Sequence, residues 1–96
     1  MAEDKDKPYA LTYHALAIEE LKALDPSRQD EVFTALQSRL ATNPEHYGKP
    51  LRYSLKGCRS LRVGDYRVVF KVEKRTLRIL AVKHRSKGYG GIERRI

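Results

Sequence analysis

Between residues 59 and 82 the apolar side chains alternate with polar ones, the period-two pattern that constrains this chain more than any other feature. In residues 59–63, Leu61 and Val63 fall on one side while Ser60 and Arg62 fall on the other. Gly64-Asp65 follows, a pair suited to a tight reversal because glycine adopts positive φ at little cost. Residues 66–72 alternate again, with Tyr66, Val68, Phe70 and Val72 on one face and Arg67, Val69 and Lys71 on the other. Residues 73–75 make the next reversal, and 77–82 (LRILAV) is apolar on both faces, as a central strand requires. The expectation is a three-stranded antiparallel meander.

The rest of the chain reads as a support for that meander. Residues 9–13 (YALTY) alternate and form a first strand that adds at a sheet edge. From residue 15 the period lengthens, and His14, Ala17, Ile18, Leu21 and Leu24 recur at helical spacing. Asp25-Pro26 supplies an N-cap and a first-turn proline for a second helix, whose stripe is Val32, Phe33, Leu36 and Leu40 and which Asn43-Pro44 stops. Residues 43–57, with two prolines and two glycines, read as an irregular connection with a short ordered segment near 51–55. The fold class is therefore α+β: an N-terminal strand and a helical hairpin packed on a small antiparallel sheet.

With 96 residues, one domain spanning 1–96 is expected, with 1–8 as a frayed charged leader and the glycine-rich 88–96 as a flexible tail. No apolar h-region opens the chain and no run of eighteen apolar residues occurs, so a soluble cytoplasmic protein with no membrane partner is expected. Cys58 is the single cysteine, which excludes an intramolecular disulfide and a Cys-based zinc site. The three histidines are scattered, no nucleotide-binding or metalloprotease motif occurs, and neither metal nor cofactor is expected.

Charge is where the sequence points to function. Residues 1–48 hold five Lys/Arg against nine Asp/Glu, net −4, whereas residues 49–96 hold fifteen against three, net +12. A positive field confined to one half favours a polyanion or an acidic protein as partner. Arg62 and Arg67 flank the Gly64-Asp65 turn on the non-core faces of paired strands, and Arg85 follows the last strand. Any one of these arginines is explained as a solvated side chain on a sheet, but three converging with a tyrosine and a histidine are explained better as a site. In metal-free RNA cleavage the 2′-hydroxyl attacks phosphorus, and the added charge on the phosphoryl oxygens suits arginine's planar fork of donors. Arginine cannot serve as the base, so a titrating group is also needed, for which Tyr89, His84, Lys83 and Lys87 are available. Tyr89 has a second possible role, stacking on a splayed base.

The string LRVGDYRVVF (61–70), followed by VKHRSKGY (82–89), resembles the RelE/ParE superfamily of bacterial toxins, and its HRxxxY ending is similar to the RelE branch. That resemblance implies a toxin of a toxin–antitoxin module, a metal-independent, ribosome-dependent mRNA endoribonuclease that inhibits translation. Its implied partners are the ribosome with its mRNA and a small acidic antitoxin, the latter in a toxin–antitoxin hetero-oligomer. By the same resemblance the catalytic set is Arg62, Arg67, Arg85, Tyr89 and His84, with Arg59, Lys71, Lys83 and Lys87 binding RNA. The chain departs from the RelE pattern at Ser60, where the first of two alternating basic strand residues would fall, and at Gly88, where valine is usual. Two alternatives stand beside this reading: a ParE-type inhibitor of DNA gyrase, and a catalytically weak RNA- or protein-binding member of the same fold.

Overall fold

A computed structural model describes residues 8–96, so the leader expected over 1–8 lies, apart from Pro8, outside the described residues. Strand β1 (Ala10–Tyr13) leads into helix α1 (Ala15–Lys22), which begins where the His14 ring accepts the Leu16 N–H. Helix α2 (Pro26–Ala35) starts as its sequence foretells, with the Asp25 carboxylate accepting the Arg28 N–H and proline in the first turn. It then widens into a π-helical turn, Leu36–Leu40. The stretch expected to be irregular contains a helical turn α3 (Pro44–Tyr47), a two-residue strand β2 (Lys49–Pro50) and a 3₁₀ turn at Tyr53–Leu55. The meander follows as β3 (Arg59–Val63), β4 (Tyr66–Glu73) and β5 (Thr76–His84), the first reversal passing through Gly64 at φ 59°.

The sheet has five strands in the order β1-β5-β4-β3-β2. The meander and β2 are antiparallel, but β1 runs parallel to β5, so the sheet is mixed rather than purely antiparallel. The reason is topological: the whole helical segment lies between β1 and the meander and carries the chain back to the end from which β1 started.

Both helices cover one face of this sheet. Ala17, Leu21, Val32, Ala35, Leu36 and Leu40 pack there on Leu61, Val63, Val68, Phe70, Leu77, Ile79 and Val82. Ile18 and Phe33, expected in the apolar stripes, are instead 39% and 41% exposed and line a shallow apolar groove between the helices. Ala35, two residues after Phe33, is buried on the stripe with Val32 and Leu36.

The opposite face carries a second, smaller core of Leu55, Cys58, Val69, Leu80, Ala81 and Ile92. Its existence depends on a bulge. Val69 pairs with Ala81 but Phe70 pairs with Ile79, so Leu80 is the extra residue. The bulge shifts the alternation of β5 by one, turning Leu80 and Ala81 to the second core and Val82 back to the first. Burial pushes the Cys58 thiol above its ordinary pKa, with the charge of Lys71 acting weakly against it, so Cys58 serves as packing.

Residues 88–96, expected as a flexible tail, are docked on this second face, where the 3₁₀ turn Ile92–Arg95 buries Ile92 completely. Burying one isoleucine stabilises by about 1.5–3 kcal/mol, and ordering each backbone residue costs about 1–2 kcal/mol, so Ile92 alone offsets only about one to three residues. Arg95 is the second anchor. Its guanidinium donates to both Glu20 carboxylate oxygens at 2.9 Å and to the Leu80 carbonyl at 3.0 Å. Glu20 also accepts the Val82 N–H at 3.0 Å and lies 2.8 Å from the Lys83 ammonium. Since β1 pairs with β5 only as far as Ile79, these bonds satisfy the edge that β1 leaves open.

Burial alone would raise the Glu20 carboxyl, but Arg95, Lys83 and the Val82 N–H together hold it below its ordinary value of 4.5. A carboxyl depressed in the folded state contributes stability that is complete above that ordinary value and is lost as pH falls through the folded one. Glu20→Gln is expected to lower unfolding free energy by about 2 kcal/mol at about pH 7 and by less at about pH 3, because the carboxylate's contribution is lost as pH falls through its lowered pKa. Urea titrations of both proteins at the two pH values measure this, and an equal deficit at both would contradict the assignment.

A candidate phosphate-binding cleft

On the face away from the helices, beside the second core, lies an open cleft of about 630 Å³. It is lined by Tyr47, Lys49, Pro50, Leu51, Ser60, Leu61, Arg62, Arg67 and Tyr89. The ladder explains the convergence. Arg62 of β3 stands directly opposite Arg67 of β4, which stands opposite Lys83 of β5, so three cations form one row across the sheet. Like charges directly opposite on paired strands are destabilising, by about 0.2–1 kcal/mol per pair. Lys83 is relieved by Glu20, whereas among the described residues no carboxylate forms an ion pair with Arg62 or Arg67. The Arg62 Nε–H donates to the Gly64 carbonyl at 3.2 Å, and the Arg67 guanidinium carbon lies 5.5 Å from the Tyr89 ring centroid. Two arginines are thus oriented by neutral partners and retain their charge for an anion.

Tyr89 is half-buried against the second core rather than free in a tail. Its position is set by Ile92 and Arg95 just beyond it, and its ring face meets Arg67. The other residues singled out in the sequence are not in the cleft. Arg85 sits at the 64–65 turn, its Nε 3.5 Å from the Asp65 carboxylate and its N–H donating to the Asp65 carbonyl at 2.7 Å. His84 turns to the helix-side face, edge-on to Tyr66 with ring centroids 5.3 Å apart, and its Nδ1 lies 2.8 Å from the Ser86 hydroxyl. Arg59 also leaves the cleft face and donates to the Gly48 carbonyl at 2.9 Å, fastening the loop before β2. Lys71 shares the cleft face but pairs with Glu73 at 3.9 Å, and Lys87 lies exposed in the turn after β5.

Tyr47, Lys49, Pro50 and Leu51 are the cleft residues that sequence reasoning missed. They lie around a strand of two residues, too short for any periodicity to register. Among the described residues no three His, Cys, Asp or Glu side chains gather as metal ligands, and no helix is long and apolar enough to cross a membrane.

Residues 11–89 match the family described as the ParE toxin of the type II toxin–antitoxin system parDE. Toxin RelE of Mycobacterium tuberculosis is 34% identical over 86 residues, which are 88% of this chain and 89% of that protein. The chain belongs to the RelE/ParE superfamily of type II toxins. Toxin RelG of the same organism is also 34% identical, over 84 residues covering 85% of this toxin and 97% of the relative. Among solved structures, the toxin–antitoxin complex RelBE2 from Mycobacterium tuberculosis superposes with a TM-score of 0.76 at 33% identity, over 80% of this toxin and 98% of that chain. The archaeal RelE–RelB complex from Pyrococcus horikoshii superposes at 0.63 with 22% identity, over 84% and 99%, a likeness of fold.

One glycine holds the rim of the cleft in place. A Cβ on Gly48 would overlap the Phe70 ring and stand 2.8 Å from the Pro44 carbonyl oxygen, both parts of the packed interior. Gly48→Ala is therefore expected to lose about 1–3 kcal/mol in a urea titration by overpacking. A change below about 0.5 kcal/mol would show that the loop shifts freely instead.

Proposed function

We propose that this toxin cleaves mRNA in the ribosome, without a metal ion, and so inhibits translation. The observation that carries the reading is the Arg62–Arg67 pair, held without a carboxylate beside the Tyr89 ring. Two relatives at 34% identity named RelE and RelG support the same branch.

In this mechanism the 2′-oxygen forms a bond to phosphorus as the P–O5′ bond breaks, leaving a 2′,3′-cyclic phosphate and a 5′-hydroxyl. A base takes the 2′ proton and the leaving oxygen gains one. Charge accumulates on the non-bridging oxygens, and Arg67 with Arg62 donates to them. Tyr89, backed by Arg67, presents a surface on which a base stacks. His84, on the other face, is outside this scheme. Arg85 acts from the rim, where Asp65 shares its charge.

The partner in the cell is a small acidic antitoxin, in keeping with relatives solved as toxin–antitoxin complexes and with the +12 charge of residues 49–96. One observation favours a second reading, inhibition of DNA gyrase: the matching family is described by its ParE toxin.

Primer extension on mRNA translated with the toxin decides between the two. Arg67→Ala is expected to lower cleavage about 100-fold, and Arg85→Ala about ten-fold or less. The Arg67→Thr protein, relieved of like-charge repulsion, is expected to cleave as slowly as Arg67→Ala yet be more stable by about 0.5 kcal/mol in urea. Tyr89→Ala should cut about 10- to 100-fold more slowly while Tyr89→Phe stays within a few-fold of wild type, since stacking needs the ring alone. Gyrase-linked DNA breaks with intact mRNA would establish the ParE reading instead.

A further inference from the structure

We infer that Lys49 is a substrate-contacting residue of the cleft, holding the RNA phosphate next to the one that Arg62 and Arg67 engage. The inference rests on the reading of the cleft as an RNA site.

Three observations converge on it. Lys49 of β2 stands directly opposite Ser60 of β3, so its side chain shares the face that bears Arg62 and Arg67, and it lines the same cleft. Ser60 is small, so the four-carbon lysine stem crosses it without obstruction. Second, among the described residues no carboxylate pairs with the Lys49 ammonium. A third observation separates Lys49 from an ordinary surface lysine. Its backbone is seated from behind, by Gly48 packed against Phe70 and by the Arg59 guanidinium donating to the Gly48 carbonyl at 2.9 Å.

The spacing assigns the role. Lys49, opposite Ser60, is a diagonal neighbour of Arg62 across the β2–β3 pair, about 7–8 Å away, a step comparable to that between neighbouring phosphates of single-stranded RNA. With Arg62 and Arg67 on the scissile phosphate, Lys49 falls one step along the backbone. A contact there is made equally in the ground state and the transition state, so it lowers KM and leaves kcat alone.

The test measures two things on the full-length toxin. One is the affinity for a short fluorescein-labelled 2′-O-methyl oligouridine, which cannot be cleaved, across a series of salt concentrations. The other is the rate of mRNA cleavage in a translating extract as mRNA concentration varies. Lys49→Ala should weaken oligonucleotide binding about ten-fold and reduce the slope of log affinity against log salt by about 0.7, the value for one phosphate contact on a single strand. It should raise the mRNA concentration at half-maximal rate by a similar factor with the maximal rate unchanged. Ser60→Lys in the Lys49→Ala background should restore both, because it places an ammonium at the same point of the ladder from the other strand. Lys22→Ala, on the helix side of the sheet, controls for total charge. An unchanged affinity and slope in Lys49→Ala, or no oligonucleotide binding by the wild type at low salt, would overturn the inference. A wild type that binds the oligonucleotide through Lys49 but leaves mRNA intact would overturn the nuclease reading and leave the phosphate contact standing.

Discussion

The open edge of β5 is the constraint on which the rest of this toxin depends. Strand β1 pairs with β5 only to Ile79, and the backbone beyond it is closed by side chains: Glu20 takes the Val82 N–H, and Arg95 takes the Leu80 carbonyl. Because the same carboxylate binds Arg95 through both oxygens and also Lys83, one group joins α1, the central strand and the C-terminal turn. Half-buried charges at such a junction are favourable only when each is paired and hydrogen-bonded, and the geometry here meets that condition. The consequence reaches the cleft. Arg95 and Ile92 fix the segment that carries Tyr89, and the Tyr89 ring in turn orients Arg67.

Within one row of the sheet, charge is handled in two ways. Lys83 is neutralised and becomes part of the scaffold, while Arg62 and Arg67 keep their charge and repel one another. A sheet selected for stability alone would place a carboxylate or a threonine in one of those positions. The repulsion is small enough, below about 1 kcal/mol, for the two packed cores to absorb. Such a local conflict at a concave surface supports the proposed reading of the cleft as an anion site.

Most of the elements were legible in the sequence because they are governed by local rules. Alternation and the Gly64-Asp65 turn foretold β3 and β4, and Asp25-Pro26 foretold the start of α2. Arg62 and Arg67 were legible as sharing one face because pairing across a tight turn fixes which face a residue takes, and both line the cleft. Arg59 was legible on the face opposite Ser60 and His84 at the end of the last strand, but the partners of both were not. Residues near strand ends meet whatever lies beside them, and here Tyr66 takes one and the Gly48 carbonyl the other. Lys49 left no trace at all, since a strand of two residues exists only through its partner.

By itself, then, the sequence determined the meander, the helical hairpin and a positive half carrying two arginines on one face, because each follows from contacts among near neighbours or across a single turn. The tertiary structure alone decided four things: the bulge at Leu80, the docking of residues 88–96, the parallel return of β1, and the entry of Lys49 into the cleft. All four depend on groups far apart in the chain, above all on an edge of β5 that must satisfy its hydrogen bonds with whatever the fold brings to it. The glycines around Tyr89 carry local freedom, and a buried isoleucine with a paired arginine outweighs it.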